Sequence, residues 1–260
     1  MTNSEGASAA AAPLLVLGKI TDILNTFSLE TPVLTLAQIR ASTGLPGSTT
    51  QRLVTNLVSQ GFLDRDDDRF RVGLRMAFWA APAVRGMRVI DQIAPILRRL
   101  RDETGETASL FRSADDYRVC IAVEETHHEL RQDSYVGKVA PLGAGSAGRV
   151  LLAWNDDLRA DILSRPLPSL ASQTVTDVDA LAAALDETRE HGFAITRNER
   201  VDGLAGLAAP IFEPGGEVRM AITLSGPAAR MTPDRLDGWA PAVVAAATEA
   251  TRLLGGRTPS

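Results

Sequence analysis

Between residues 34 and 72 the chain carries a dense run of helix start and stop signals, which restricts its fold more than any other stretch. Thr35 and Gln38 stand at capping-box spacing ahead of Ile39, so a helix starts at about Leu36. Gly44 stops it, and Pro46 suits the first turn of another helix. That second helix supplies Leu53, Val54, Leu57 and Val58 as a buried stripe at three- and four-residue spacing, and Gly61 ends it. Residues 62–65 and 69–72 then flank Asp66-Asp67-Asp68 as the two arms of a short hairpin with an acidic turn. Upstream, Leu17, Ile20, Ile23, Leu24 and Phe27 lie along one face of a further helix. The spacing of the two middle helices across Gly44 is that of a helix-turn-helix.

The remainder reads as a second domain. Residues 74–89 are amphipathic, with Trp79 and three arginines, and form a linking helix interrupted or kinked at Pro82. Ile93, Ile96, Leu97 and Leu100 make another helical stripe that closes near Gly105. The period then changes: 107–112 and 118–123 read as strands joined at Asp115-Asp116. Residues 145–154, 156–163 and 178–191 read as helices, and 193–196, 205–212 and 219–224 as strands, with a hairpin turn at Pro214-Gly215-Gly216. Thr232 caps a last helix, Pro233 fits its first turn and Gly255 stops it. Strands and helices interleave, so this part is α/β or α+β.

Composition narrows the function classes. At 260 residues, with 45% apolar and 23% charged, the chain can bury one large core or two unequal ones. One cysteine excludes a disulfide framework and a cysteine-rich zinc site. No apolar run approaches the roughly 20 residues of a spanning helix, and residues 1–12 read as a loose tail without the positive flank of a secretory signal. A cytoplasmic protein without membrane partners is the expectation. The net charge is −5, and from Met1 to Arg75 seven Lys/Arg balance seven Asp/Glu. A nucleic-acid site must therefore be local rather than a basic domain.

The residues that the second helix does not need for its buried stripe suit a duplex. Ser48, Thr49, Thr50, Gln51, Arg52 and Asn56 offer hydroxyls for phosphates, Gln and Asn for adenine, and Arg for guanine or phosphate. Arg52 reads either as a phosphate contact or as half of an ion pair inside the fold. Arg69 and Arg71 on the hairpin can track the backbone beside the groove, while the acidic tip cannot approach phosphate cheaply.

In order and spacing, several segments together resemble the IclR family of bacterial transcriptional regulators. They are Leu34-Thr-Leu-Ala-Gln-Ile, Thr43-Gly-Leu-Pro-Gly-Ser-Thr-Thr-Gln-Arg-Leu-Val, Gly61-Phe-Leu, Val136-Gly-Lys-Val-Ala-Pro-Leu, Gly145-Ser-Ala-Gly-Arg-Val-Leu-Leu-Ala, Gly206-Leu-Ala-Ala-Pro-Ile-Phe and Ser225-Gly-Pro-Ala-Ala-Arg-Met-Thr. The resemblance implies an α+β chain: an N-terminal winged helix-turn-helix, a linker helix and a C-terminal GAF-like α/β effector domain. On this reading 1–12 is a disordered tail, 13–74 the DNA-binding domain, 75–91 the linker helix and 92–257 the effector domain. It further implies double-stranded operator DNA and a small organic acid as partners, and a homodimer or tetramer. No cofactor, metal or catalytic residue is expected.

Gly143-Ala-Gly-Ser-Ala-Gly148 also satisfies the G-x-G-x-x-G fingerprint of dinucleotide sites, which leaves an NAD-dependent oxidoreductase as the alternative. Pro141 sits badly in the central parallel strand which that reading needs. By resemblance, Ser146 and Ala147 instead present backbone amides to a ligand carboxylate at a helix N-terminus, and Thr196, Leu204 and Gly206 line the pocket. A hydroxyl at 196 and no side chain at 206 leave room for a larger or more apolar ligand, such as an aromatic acid. Arg131 and Arg197 read either as bidentate partners for a carboxylate or as solvated surface arginines. His127-His128 reads as a solvated loop rather than a metal site, His191 as a helix C-terminal cation, and Cys120 as a small buried hydrophobe. Trp79, Trp154 and Trp239 read as packing residues, with Met76 and Trp79 alternatively in a dimer seam. No nucleophile-elbow pattern supports hydrolytic catalysis.

Overall fold

A computed structural model describes residues 15–28, 31–86 and 88–258, so the tail at 1–12 lies outside the described residues. The chain divides into two compact units, one up to Met87 and one from Arg88.

In the first unit, α1 (Leu15–Leu24), β1 (Val33–Thr35), α2 (Leu36–Thr43) and α3 (Gly47–Ser59) precede β2 (Leu63–Asp66), β3 (Arg69–Val72) and α4 (Leu74–Gly86). The capping box closes as expected: the Gln38 N–H donates to Thr35 Oγ1 at 3.3 Å and the Thr35 N–H to Gln38 Oε1 at 2.8 Å. Gly44 ends α2 at φ 66°, a left-handed conformation that costs glycine least. Pro46 stands at the N-cap of α3 rather than within its first turn. Strand β1 was not legible; it pairs antiparallel with β3 and completes a three-stranded sheet in the order β1-β3-β2. Ile23, Leu34, Ile39, Leu53, Val54, Leu57, Leu63 and Phe70 form the core between this sheet and the helices. Of the stripe expected on α1, only Ile23 is fully buried, and Leu17 is 56% exposed. The arrangement is a winged helix-turn-helix.

The linking segment expected over 75–91 is helical on both sides of Met87, which lies outside the described residues. Helix α4 runs on past position 82, and a second helix, α5 (Arg88–Thr104), starts at the beginning of the other unit. The boundary expected between 91 and 92 therefore falls inside α5.

The second unit continues with β4 (Thr107–Ala114), β5 (Tyr117–Glu124), β6 (Val139–Pro141), α6 (Ser146–Ala153), α7 (Asp156–Leu163) and α8 (Val178–His191). It ends with β7 (Ala194–Arg197), β8 (Leu204–Phe212), β9 (Val218–Pro227) and α9 (Pro233–Leu253). The six strands form one antiparallel sheet in the order β6-β5-β4-β9-β8-β7. Alternation along β8 supplies two cores. Leu207, Ala209 and Ile211 pack with α5 and α9, whereas Ala208 and Phe212 pack with α6, α7 and α8. Thr232 occupies the N-cap of α9 but its side chain makes no capping hydrogen bond, so that start rests on Pro233 in the first turn. Among the described residues no helix is long and apolar enough to cross a membrane.

Candidate nucleic-acid interface and effector cavity

Helix α3 sorts its residues by face. Leu53, Val54 and Leu57 turn inward, and Ser48, Gln51, Arg52 and Asn56 are exposed on the other side, with Thr49 half-buried between them. Thr50 does not belong to the exposed set. It is 0% exposed, and its hydroxyl lies 3.2 Å from the Pro46 carbonyl and 3.4 Å from the Leu45 carbonyl. A hydroxyl satisfied by the preceding turn is a tolerated core residue, which is why type alone misplaced it. Thr55 is exposed beside Gln51 and was missed; both border a shallow depression that Arg65 and Asp68 of the hairpin also line. Positions 48, 51, 52, 55, 56 and 59 follow helical spacing, a signal already present in the sequence. Asn56 Nδ2 donates to the Arg52 carbonyl at 2.8 Å. Arg52 is exposed and makes no ion pair among the described residues, so the intrafold pairing is not found.

Arg69 and Arg71 are exposed on β3, but they flank Phe70, which faces the core. Strand alternation therefore turns both away from the sheet face on which the helices pack. Their cross-strand partners are Asp66 and Asp64, acids that offset their charge.

The second unit brings five expected residues together. Ser146, Ala147, Thr196, Leu204 and Gly206 all line one cavity of about 60 Å³ at the N-terminus of α6. Thr196 on β7 is the register partner of Gly206 on β8, and Gly206 in turn faces Ser225 on β9. A Cβ at Gly206 would lie 2.8 Å from Ser146 Oγ, so the missing side chain admits the helix N-terminus instead of enlarging the cavity. Gly206 thus makes room for Ser146, a role the sequence reading did not give it.

The first amides of α6 already have protein acceptors. The Ser146 N–H donates to Thr196 Oγ1 at 3.0 Å, and the Gly145 N–H to Glu199 Oε2 at 3.2 Å. That leaves the Ala147 and Gly148 amides as donors without an intrahelical acceptor, and the Thr196 hydroxyl with a proton of its own to donate. Gly145 takes φ 85°, again a glycine conformation. Glu199, 8% exposed, is also held by Arg149; burial nevertheless pushes its carboxyl above the ordinary range.

Two arginines that sequence reasoning did not single out line the same cavity: Arg118 on β5 and Arg200 after β7. Arg118 is 3% exposed and donates from Nη1 to the Pro141 carbonyl, and its guanidinium lies 5.7 Å from the centre of the Phe111 ring. Burial, aided by the charge of Arg200, lowers its pKa to about 9. A charged residue at the head of the apolar run Val119-Cys-Ile-Ala-Val was the available sequence signal for Arg118; Arg200 carried none.

Arg131 and Arg197 are not in this cavity. Arg197 donates to the carbonyls of Met231 and Ala228, and Arg131 stands 3.9 Å from Glu125. The dinucleotide context fails as well. Strand β6 lies at the sheet edge, antiparallel to β5, so no parallel strand feeds the glycine loop. Cys120 is buried, with its thiol pushed up to about 11 by burial. His191 ends α8 and stacks on Phe193. Trp79 meets Phe62 edge-on and Trp154 meets Phe212, in keeping with packing roles.

Comparison with known proteins accords with both halves. Residues 16–67 match the IclR helix-turn-helix domain, and residues 81–252 match the model described as bacterial transcriptional regulator IclR C-terminal. The HTH-type transcriptional regulator BhcR of Paracoccus denitrificans is 32% identical over 237 residues, covering 90% of this chain and 85% of its own. The transcriptional repressor IclR of Escherichia coli is 30% identical over 227 residues, covering 85% and 83%. Among solved structures, an IclR homologue of Microbacterium hydrocarbonoxydans complexed with 4-hydroxybenzoate superposes with a TM-score of 0.73 at 26% identity, covering 92% of this chain and 98% of its own. Sequence match, winged helix-turn-helix and the six-stranded antiparallel sheet agree, and the chain belongs to the IclR family of DNA-binding transcriptional regulators.

Proposed function

We propose that this regulator is a cytoplasmic homodimer, or a pair of dimers, that reads a near-palindromic operator with the exposed face of α3 and responds to a small organic acid held at the N-terminus of α6. The observation that carries the proposal is the convergence of Ser146, Ala147, Thr196, Leu204 and Gly206 on one cavity. A carboxylate there meets a helix N-terminus, where amide donors and the helix dipole both favour negative charge. The 4-hydroxybenzoate bound by the M. hydrocarbonoxydans homologue supports an organic acid as ligand class. The cavity lining sets Phe111, Leu204 and Leu224 beside Arg118 and Arg200, so an acid would meet both apolar and cationic groups there.

On the DNA side, Ser48, Gln51, Arg52, Thr55 and Asn56 form the reading surface, with Thr49 at its margin. Arg69 and Arg71 make at most edge contacts with the backbone. Ligand binding biases the arrangement of two effector units, and the two recognition helices then fit or miss half-sites one helical turn apart. Retention of the duplex upstream of the chain's own gene, followed by gel shift while organic acids are titrated, tests this. A change in retention on adding an acid that also raises the melting temperature supports it. An acid that stabilises the protein but leaves DNA binding unchanged at every concentration refutes the coupling.

A further inference from the structure

We propose that the cavity at the α6 N-terminus is built for a compact dicarboxylate, gripped by the guanidinium groups of Arg118 and Arg200. This rests on the reading of that cavity as the effector site and goes beyond it in naming the ligand's charge and its anchors. The Nε of Arg118 is buried and has no hydrogen-bond partner among the described residues, although the group lines the cavity. No carboxylate comes within ion-pair distance of Arg118 or Arg200 among the described residues, although the charge of Glu199 partly offsets that of Arg200 at Arg118. Glu199, the one acid in the lining, is already engaged by Arg149 and the Gly145 N–H. Lys138, a third cation there, donates from Nζ to the Asp133 carbonyl. With Glu199 held by Arg149, Arg118 and Arg200 are the two guanidinium groups of the lining that make no ion pair among the described residues.

The fold makes room for this arrangement. A Cβ at Gly145 would lie 3.0 Å from Arg118 Nη2, whereas one at Gly148 would first strike the Leu142 backbone. Gly145 thus admits a guanidinium that is costly to bury unpaired. An anion with two carboxylates supplies the missing partners, because each planar fork matches one carboxylate. The size agrees as well. At roughly 10–15 Å³ of such volume per water, 60 Å³ holds about four to six waters, the room of a short-chain diacid.

The test is a melting-temperature and calorimetric titration of the full chain with malonate and succinate, against acetate, propionate, 4-hydroxybenzoate and inorganic phosphate at matched ionic strength. A dicarboxylate binding at least tenfold more tightly than the monocarboxylates is the expected result. Arg118→Met and Arg200→Met should each reduce that preference to less than threefold. Arg118→Met should also raise the melting temperature of the ligand-free protein, because it removes an uncompensated buried charge; a purely structural arginine would lower it. If monocarboxylates bind as well as malonate, or if Arg118→Met keeps the preference, the dicarboxylate assignment falls while the effector cavity stands. If phosphate matches malonate, the assignment to carboxylates falls. If no acid binds the wild-type chain, both readings fall together.

Discussion

Residues 50 and 52 are two positions apart on α3 and distinguish its faces cleanly. Thr50→Val keeps the buried volume and removes a hydroxyl that lies 3.2 Å and 3.4 Å from two carbonyls, near the outer limit of hydrogen bonding. The Pro46 carbonyl retains the Thr50 N–H at 2.9 Å, so no acceptor there is orphaned. The expected cost is therefore at the low end of a neutral hydrogen bond, about 0.5–1 kcal/mol, with operator affinity within about twofold. Arg52→Ala is the mirror image. An exposed helix position costs at most about 0.5 kcal/mol in stability. Loss of one phosphate or base contact in each half-site removes about 1 kcal/mol or more per contact. For a dimer on a two-fold operator that is at least about 2 kcal/mol, or roughly thirtyfold in affinity, enough to abolish retention in a gel shift. Fluorescence anisotropy on the upstream duplex at several salt concentrations, with thermal denaturation in parallel, reads both quantities. A Thr50→Val protein that melts normally but loses the operator, beside an Arg52→Ala protein that keeps it, would refute the assignment of faces.

Three further outcomes follow from the second unit. Gly206→Ala places a methyl group 2.8 Å from Ser146 Oγ and should destabilise by about 1–3 kcal/mol through overpacking; adding Ser146→Ala should restore most of this, since the remaining Cβ lies 3.7 Å away, and denaturant titration that shows no rescue sinks the account. Glu106 is 2% exposed and receives both Nε and Nη2 of Arg230, at 2.7 Å and 2.8 Å, so Glu106→Gln should cost about 3 kcal/mol by stranding part of a buried pair, visible as a lowered melting temperature at neutral pH. Because burial raises the Cys120 thiol from 9.0 to about 11, the native chain should resist alkylation at pH 8 and react on unfolding. The unfolded thiol loses its proton first, so this residue's contribution to stability is intact below pH 9.0 and fades as pH rises towards 11; rapid native labelling at pH 8 would contradict this.

Local signals determined most of the elements. Capping residues, glycine stops and hydrophobic spacing act within a few residues of themselves, so Thr35, Gly44, Gly61 and the stripe Leu53-Val54-Leu57 were legible without a partner. Helices α7 and α8 fell on the expected residues for the same reason. What tertiary structure decided is which surface each side chain meets. Strand β1 is three residues long and exists because β3 pairs with it. Thr50 and Arg197 carry surface chemistry, yet Thr50 turns into the core with its hydroxyl satisfied by the preceding turn, and Arg197 ties down the β9–α9 connection, a partner distant in sequence. Arg118 and Arg200 lie 82 positions apart and share a cavity through the pairing order of six strands. Chain-local rules carry no information about that order, since it is set by which apolar faces bury one another, and the charge of the cavity follows from it.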